Sequence, residues 1–276
     1  MSSEKNSQHY DGVVDSWQVI MGNSFHWGYF SHPETSLDEA TDALIDLLAS
    51  LVDWSPNTRV LDIGCGIGEP ATYLHKKFGC HVVGISNSPN GINRAKERTH
   101  EAGLNGYLEF HVRDALANDF PDDTFDVAWL MEMSHLIQDK LGLINEAIRS
   151  VKPGGQIALC DLMFNRRPQP REVFSRLEDH KLLKRVFGEA QIEPLKTYED
   201  LFNKVGLRDV RSLNISAEVR PTLRYWKENA ASLMASSVDE GCRNSAQEFM
   251  RSCDVLEDMY ASGIWGYGCI AARKPR

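Results

Sequence analysis

A regular alternation of short apolar runs and helical segments occupies the middle of the chain. Most of the runs are rich in Val, Ile, Leu and Phe, and most are followed by a stretch with helical spacing. Strands that alternate with helices pair in parallel through right-handed crossovers. The sequence therefore predicts an α/β fold, a Rossmann-like doubly wound sheet of seven mostly parallel strands. The predicted strands are 59–64, 81–86, 107–112, 125–131, 155–161, 209–219 and 265–273.

Two segments stand outside this alternation. Residues 1–58 contain the aromatic cluster SFHWGYF and a predicted helix, and they are expected to form an N-terminal helical cap. Residues 162–197 are a charged excursion after the fifth strand, at the edge of the sheet where a substrate lid would lie. The predicted organisation is thus a cap, a core (59–161), an inserted lid, and a carboxyl-terminal part of the core (198–276).

Composition and charge argue against several kinds of partner. The 276 residues are 42% hydrophobic, which is enough to bury a core, and the net charge of −9 includes no basic stripe for nucleic acid. No run approaches the roughly 20 apolar residues that span a bilayer, and the polar start lacks a signal-peptide core. Six scattered cysteines without a CxxC pair indicate reduced core residues and no metal site. We therefore expect a cytoplasmic protein without a membrane or nucleic-acid partner.

The stretch VLDIGCGIGEP, residues 60–70, contains most of the first predicted strand and the turn after it. Its three glycines suggest a dinucleotide cradle, but the GxGxxG spacing would put the third glycine where Glu69 stands. Glu69 and Asp62 make the turn acidic, and two unit charges 4 Å apart interact by about 4 kcal/mol at a dielectric constant of about 20. A pyrophosphate would be repelled, whereas the cationic nucleoside S-adenosylmethionine would be attracted. The alternative is a tight strand-to-helix turn with no ligand.

The order of four motifs, DIGCGIG, VVGISNS, HVRDA and VKPGG, resembles the class I S-adenosylmethionine-dependent methyltransferases. The resemblance extends from about Arg59 to Asp161 and implies S-adenosylmethionine as the cofactor of the core. The chain is similar to a natural-product branch that includes sterol, tocopherol, cyclopropane-fatty-acid and antibiotic-pathway enzymes, and teleocidin-type terpenoid indole alkaloid C-methyltransferases.

This resemblance also implies which residues bind the cofactor. In the family the glycines let the backbone approach the methionine part, and the pair after the third strand, here Asp114 and Ala115, contacts adenine. Most members carry an acid for the ribose after the second strand, whereas this chain has Ser86-Asn87-Ser88. The ribose contacts therefore stay open. The implied cofactor-binding residues are Asp62, Gly64, Gly66, Gly68, Ser86, Asn87, Asp114, Ala115 and Met131.

The residues after the fourth and fifth strands should face the transferred methyl group. His135 and Asp161 are the predicted catalytic residues, because a carboxylate beside an imidazole fixes its tautomer and stabilises the imidazolium. The pair resembles the His–Asp arrangement of antibiotic-pathway sugar O-methyltransferases, although Leu136 replaces a second histidine of that subfamily. The alternative is a histidine with a structural role.

The aromatic cluster SFHWGYF indicates a bulky, apolar acceptor. Aromatic faces can stabilise a carbocation by about 0.5–2 kcal/mol each, as methylation of an alkene requires. The alternative is a packing cluster that fastens the amino terminus to the core. The predicted substrate-binding residues are Tyr10, Phe25, His26, Trp27, Tyr29 and Phe164, with Trp17 and Phe30 nearby and Phe174 and Trp226 contributing from the lid side.

The favoured hypothesis is a methyltransferase of secondary metabolism that C-methylates an isoprenoid alkene, with a carbocation intermediate that could go on to cyclise. O-methylation of a natural-product hydroxyl with His135 as general base is the alternative reaction. A non-catalytic nucleotide-binding module is the alternative of another class. The expected partner is a hydrophobic small molecule, and the aromatic amino-terminal segment could also support a homo-oligomer.

Overall fold

The computed structural model describes residues 17–22 and 24–276. Its seven strands form one sheet in the order β3-β2-β1-β4-β5-β7-β6. The first five pair in parallel, and β7 runs antiparallel to both β5 and β6. This architecture confirms the predicted Rossmann-like α/β fold. The strands are β1 (Arg59–Ile63), β2 (His81–Ser86), β3 (Leu108–Val112), β4 (Phe125–Met131), β5 (Val151–Phe164), β6 (Arg208–Asn214) and β7 (Trp265–Arg273).

Helices cover both faces of the sheet and form a cap above its carboxyl edge. A short 3-10 turn, Ser134–Leu136, follows β4, and residues 17–21 are also helical. The α-helices are α1 (Leu37–Ala49), α2 (Glu69–Phe78), α3 (Pro89–Glu101), α4 (Lys140–Ser150), α5 (Pro170–Ser175), α6 (Leu177–Phe187), α7 (Leu195–Lys204), α8 (Ser216–Val219), α9 (Thr222–Ser236) and α10 (Glu240–Ala261). None of these described helices is both long and apolar enough to cross a membrane.

Local sequence signals explain where the helices begin. Ser36 and Glu39 form a capping box at α1, in which the serine hydroxyl accepts from the Glu39 amide and the glutamate accepts from the Ser36 amide. Gly68 and Gly79 flank α2 with φ values of 76° and 69°, a conformation that glycine adopts without steric cost. These caps place the start of α2 directly after the glycine loop.

The sheet separates two apolar cores. Trp129 and Leu130 are neighbours on β4, and because side chains alternate along a strand they enter different cores. Both are fully buried. Burial on both sides is expected for central parallel strands, which explains why the runs in this region are almost continuously apolar.

The fifth and sixth strands differ from the predicted bounds. β5 begins at Val151, so it includes the KPGG turn, and it continues to Phe164, into the predicted lid. Pairing with β7 from Gln156 to Phe164 extends it. β6 ends at Asn214, where the side-chain oxygen accepts from the amide of Ser216 and starts the short helix α8.

Hydrogen bonds from backbone amides join the aromatic amino-terminal segment, residues 24–30, to helices α8 and α9. The Gly28 amide donates to the Thr222 hydroxyl at 3.0 Å, and the Phe30 amide donates to the Glu218 carbonyl at 2.9 Å. A Cβ at Gly28 would lie 2.7 Å from the Cβ of Ala40, so only glycine permits this close approach to α1. The segment consequently lies across the carboxyl edge of the sheet.

Candidate active site

A first cavity lies at the carboxyl ends of β1, β2 and β4, where ligands bind in doubly wound sheets. Gly64 and Gly66 form part of its wall with φ values of 84° and 54°. A Cβ at Gly64 would lie 2.5 Å from the Cβ of Met133, so the loop brings bare backbone to the cavity. The wall also includes Ser86, Asn87, Arg113, Asp114, Ala115, Met131 and Glu132.

Buried acids surround the glycine loop. The Oδ2 atom of Asp62 has no hydrogen-bond partner among the described residues, and burial, followed by the charge of Glu69, raises the pKa of Asp62 to about 7. Glu69 lies on the cavity wall, and its Oε2 is 3.7 Å from Nε2 of His26, an ion-pair distance too long for a hydrogen bond. Buried acidic oxygens with unused acceptor capacity suit a cationic ligand, so these residues fit S-adenosylmethionine.

Most of the residues assigned to the cofactor from the sequence lie on this wall. The exceptions are Asp62, which lies behind it, and Gly68, where a Cβ would lie 2.8 Å from Cζ of Phe110. Near the expected ribose site, the Ser86 hydroxyl accepts from the Ser88 amide at 3.1 Å. Ser88 is occupied as the cap of α3. Ser86, Asn87 and Ser88 all line the cavity at this edge, and the contacts of Ser86 and Asn87 with the ribose stay a prediction.

A second cavity adjoins the first and holds about 970 Å³ of free space, including its open mouth. It lies between the amino-terminal segment, the ends of β4 and β5, and helices of the cap. Phe25, Glu132 and Leu136 line both cavities, so the two share a wall. The other lining residues are Trp17, Met21, Trp27, His135, Leu162, Leu183, Phe187, Gly188, Ala190, Ile192, Trp226, Leu256 and Trp265.

His135 and Asp161 are brought together at this second cavity. The Nδ1 atom of His135 lies 2.6 Å from Oδ1 of Asp161. The buried carboxylate also accepts from the amides of His135 and Leu162 and from the hydroxyl of Ser134. Burial alone would lower the pKa of His135, but the charge and hydrogen bond of Asp161 outweigh it and raise the pKa. The dyad therefore holds the ring through Nδ1 and leaves Nε2 as the ring nitrogen that is not bonded to Asp161.

Glu132 is a candidate functional residue that the sequence reasoning missed. It follows β4 with a φ of 51°, and its Oε1 accepts from the Trp27 amide at 2.8 Å and from the Tyr267 hydroxyl at 2.6 Å. Burial raises its pKa to about 7. The signal was an acid inside the apolar stretch LMEMSHL at the carboxyl edge of the sheet. Its position on the shared wall places a carboxyl group beside both cavities.

Tryptophans form one side of the second cavity. Trp27 and Trp226 both line it, with ring centroids 5.1 Å apart. Trp27 also packs against Tyr260, at 5.4 Å. The predicted aromatic wall is thus partly present, and it includes Trp17 and Phe25.

The structure places several predicted acceptor residues elsewhere. His26 lies on the first cavity because its Nδ1 bonds to the Trp27 carbonyl and its Nε2 faces Glu69. Neither Tyr29 nor Phe164 lines the second cavity: the Tyr29 amide donates to the Ala40 carbonyl of α1, and Phe164 packs edge-on against Trp265. Phe174 does not line this cavity, since its side chain is 71% exposed. Tyr10 lies outside the described residues.

Comparisons with known proteins agree with this geometry. Residues 61–159 match the family model described as "Methyltransferase domain". The 27-O-demethylrifamycin SV methyltransferase of Amycolatopsis mediterranei (strain S699) is 29% identical over 267 residues, which cover 96% of this chain and 95% of the relative. A probable chloroplastic tocopherol O-methyltransferase of Oryza sativa subsp. japonica is 27% identical over 281 residues, covering 96% of this chain and 76% of the relative.

A solved structure shows the same fold across nearly the whole chain. The cyclopropane synthase MmaA2 from Mycobacterium tuberculosis superposes with a TM-score of 0.86 at 17% identity, covering 98% of each chain. These similarities identify residues 61–159 as a methyltransferase domain, and the sheet order and the solved structure give the chain the fold of the class I methyltransferases.

Proposed function

We propose that this methyltransferase of secondary metabolism transfers a methyl group to an alkene carbon of a bulky, apolar acceptor through a carbocation. The observation that carries the proposal is the second cavity, whose walls are mainly aromatic and aliphatic and whose charged group at the cofactor side is Glu132. Among the described lining residues there is no lysine or arginine. Such a cavity favours an acceptor without an anionic group.

S-adenosylmethionine, when bound, supplies a methyl group that is already activated as an electrophile. The protein then has to hold the acceptor in line with that group, which can account for much of the rate. Glu132 lies on the wall between the two cavities. An ionised carboxylate there lowers the energy of positive charge that develops on the acceptor carbon. The rings of Trp27 and Trp226 add cation–π stabilisation of about 0.5–2 kcal/mol each.

The carbocation must finally lose its charge. It can release a proton from an adjacent carbon, leaving a new double bond. Alternatively, it can first add to a second double bond of the same acceptor, which closes a ring and moves the charge to another carbon, and that carbon's neighbour then releases the proton. Two groups on the cavity wall can accept the proton, the Glu132 carboxylate and Nε2 of His135. The choice between deprotonation and ring closure depends on how the cavity folds the acceptor, so both outcomes belong to one proposal.

O-methylation is the second candidate, and the His135–Asp161 dyad favours it. With Nδ1 held 2.6 Å from Asp161, His135 can take a hydroxyl proton on Nε2 as the methyl group is transferred. The names of the rifamycin and tocopherol relatives also support this alternative. In this reaction His135 would be essential, whereas an alkene has no hydroxyl proton to remove.

Acceptors offered in matched sets distinguish the two reactions. We would incubate the full chain with carbon-13 methyl-labelled S-adenosylmethionine and farnesol, the saturated analogue of farnesol, or farnesyl methyl ether. C-methylation predicts labelled product from the two alkenes, and O-methylation predicts it from the two alcohols. Carbon-13 NMR reports whether the new methyl group is bound to carbon or oxygen. An exclusively oxygen-bound label would reject the favoured proposal. The same set built on a prenylated indole tests a larger acceptor.

Substitution of His135 gives an independent test. His135→Ala should nearly abolish O-methylation. Under C-methylation it should alter the ratio of products more than the rate of methyl transfer. An unchanged rate with an unchanged product ratio would remove His135 from both reactions. His32→Ala, on an exposed loop, is the matched control and should leave rate and products unaltered.

A further inference from the structure

Lys140, the first residue of α4, has a buried ammonium group enclosed by backbone. The residue is 7% exposed. Its Nζ donates to the carbonyl oxygens of Ser134 at 2.7 Å, Ile137 at 2.5 Å and Gln191 at 2.7 Å. A lysine ammonium has three N–H donors, so the three carbonyls use all of them. Neither the methyl transfer nor cofactor binding, as argued above, uses this group.

The three carbonyls belong to two different walls of the second cavity. Ser134 and Ile137 bracket His135 in the turn after β4. Gln191 belongs to residues 188–194, here called the lid tail, which contribute Gly188, Ala190 and Ile192 to the cavity lining. Lys140 therefore joins the turn that carries the dyad to the tail of the lid.

A second contact makes the same connection. The Gln191 amide donates to the His135 carbonyl at 2.6 Å. The lid tail is also anchored at its far end, where the Phe164 amide donates to the Glu193 carbonyl at 3.1 Å. Without the ammonium, each of the three carbonyls would lose a charge-assisted hydrogen bond. The hydrogen bond between the Gln191 amide and the His135 carbonyl would then be the remaining contact described here between the two walls. The geometry thus makes Lys140 the main link between the two walls.

Two carboxylates lie near the Lys140 ammonium. Burial lowers the pKa of Lys140, and the carboxylates of Asp161 and Glu193 act against that effect. His135 in turn faces Asp161, Glu132 and Lys140, of which only the lysine disfavours its protonated form. The ammonium is therefore near enough to influence the dyad as well as to hold the backbone.

We propose that Lys140 is a positioning residue that holds the lid tail against the His135 turn, so that the two walls of the acceptor cavity move as one unit. The proposal rests on the assignment of the second cavity to the acceptor. The link itself can be tested without an acceptor, because the hydrogen bonds of Lys140 are present before any acceptor binds.

Hydrogen exchange measured by mass spectrometry tests the link without an acceptor. In the full chain with S-adenosylhomocysteine bound, Lys140→Met should speed exchange about tenfold or more in peptides covering 132–138 and 186–194. A peptide covering β2 should be unchanged. Lys152→Met, which removes a half-exposed lysine paired with Asp126, is the control and should leave both local peptides at the wild-type rate. Unchanged local exchange in Lys140→Met, or an equal increase in β2, would overturn the proposal.

Lys140→Arg keeps the test valid if the methionine variant does not fold. A planar guanidinium cannot direct its donors to three converging carbonyls as an ammonium does, so local exchange should rise about threefold or more. Lys152→Arg is its control. Wild-type protection in Lys140→Arg would overturn the proposal.

A nitrogen-15 NMR titration of His135 provides a readout that a merely structural lysine would not move. Removal of the ammonium in Lys140→Met, or in Lys140→Ala if the first does not fold, should shift the pKa of His135 upward, and Lys152→Met should not. No shift would overturn the proposal. Because neither measurement involves methyl transfer, a failed acceptor assay and a failed link are separate results.

Discussion

The backbone amide of Trp27 donates a 2.8 Å hydrogen bond to the carboxylate of Glu132, which is 105 residues away in the sequence. This bond joins the aromatic amino-terminal segment to the turn after β4. Because the amide belongs to the backbone, the segment presents the same donor whichever side chain stands at position 27. The position of Glu132 between the two cavities is therefore fixed by main-chain geometry as well as by the Tyr267 hydroxyl.

We predict that Glu132→Gln lowers kcat by about 100-fold. The amide oxygen of glutamine can still accept from Trp27 and Tyr267, so the fold should persist while the negative charge is lost. Steady-state kinetics and a thermal melt measure the two effects. Glu248→Gln, at a surface ion pair with Arg185, should match the wild type in both. A glutamine variant with wild-type kcat would show that catalysis does not use this charge.

Tyr267→Phe should move the acidic limb of the pH–kcat profile to higher pH. Burial raises the pKa of Glu132 to about 7, and the hydrogen bond from Tyr267 acts in the opposite direction. Loss of that bond raises the pKa further, so a reaction that needs the ionised carboxylate requires a higher pH. The profile should be recorded with saturating cofactor and acceptor. A limb that stays in place, or moves down, contradicts the assignment of that limb to Glu132.

Cofactor affinity should increase with pH below about 7. Burial and Glu69 raise the pKa of Asp62 to about 7, so the unliganded protein holds a proton that a cationic ligand must displace. For one such proton the gain approaches tenfold per pH unit below the pKa. Calorimetry with S-adenosylhomocysteine, which retains the ammonium, measures it. Asp62→Asn should bind more weakly and show a smaller dependence on pH, and an equally steep dependence in that variant would exclude Asp62 as its source.

The same shift has a consequence for the unliganded fold. Because the pKa of Asp62 is higher in the folded chain than its ordinary value near 4, protonation of this group stabilises the folded state. That contribution is complete below about pH 4 and is lost as the pH rises to about 7. The stabilisation produced by the cofactor should therefore grow over the same interval.

Two glycines with similar backbone angles provide a matched comparison. Gly64→Ala would place a Cβ 2.5 Å from Met133, whereas Gly103→Ala, also at positive φ, meets nothing within 4 Å. The left-handed strain should cost about 1–2 kcal/mol in each variant, and overpacking should add about 1–3 kcal/mol to Gly64→Ala alone. Urea unfolding gives both values, and only Gly64→Ala should lose cofactor affinity. Equal losses in the two variants would contradict a role for close packing at the loop.

Removal of the buried carboxylate of Asp161 should destabilise the protein by about 3–5 kcal/mol. Asp161→Leu leaves the His135 ring without its partner and the amides of His135 and Leu162 without an acceptor. Asp254→Leu, which breaks an exposed pair with Lys227, should change the free energy of unfolding by less than about 1 kcal/mol. Urea unfolding measures both, and a loss near 1 kcal/mol for Asp161→Leu would contradict the inferred dependence of the network on this carboxylate.

Much of the fold could be predicted because periodicity and burial agree locally. The predicted strands 81–86, 125–131 and 265–273 coincide with β2, β4 and β7. The extension of β5 to Phe164 could not be predicted, because it depends on pairing with Trp265, a hundred residues later. A short-range pattern carries no information about such a partner.

The candidate site, too, could be predicted only in part from the sequence. His135 and Asp161 were predicted as a pair because one follows the fourth predicted strand and the other ends the fifth. In the structure Asp161 lies inside the longer β5, and its carboxylate still reaches the His135 ring at 2.6 Å. Glu132 could not be singled out from the sequence, because its hydrogen bonds come from Trp27 and Tyr267, which are far from it along the chain. Lys140 has the sequence context of a surface lysine at a helix start, and its buried position depends on where the lid tail returns to the sheet.

The ring of Phe25 forms part of the wall of both cavities. On the proposed assignment of the cavities to methyl donor and acceptor, a change at this position alters both binding sites together. Trp226 on α9, Leu183 on α6 and the lid tail contact the second cavity alone. On the same assignment, substitutions in these outer walls change the acceptor cavity and leave the cofactor cavity intact, so acceptor preference can change there at constant cofactor affinity.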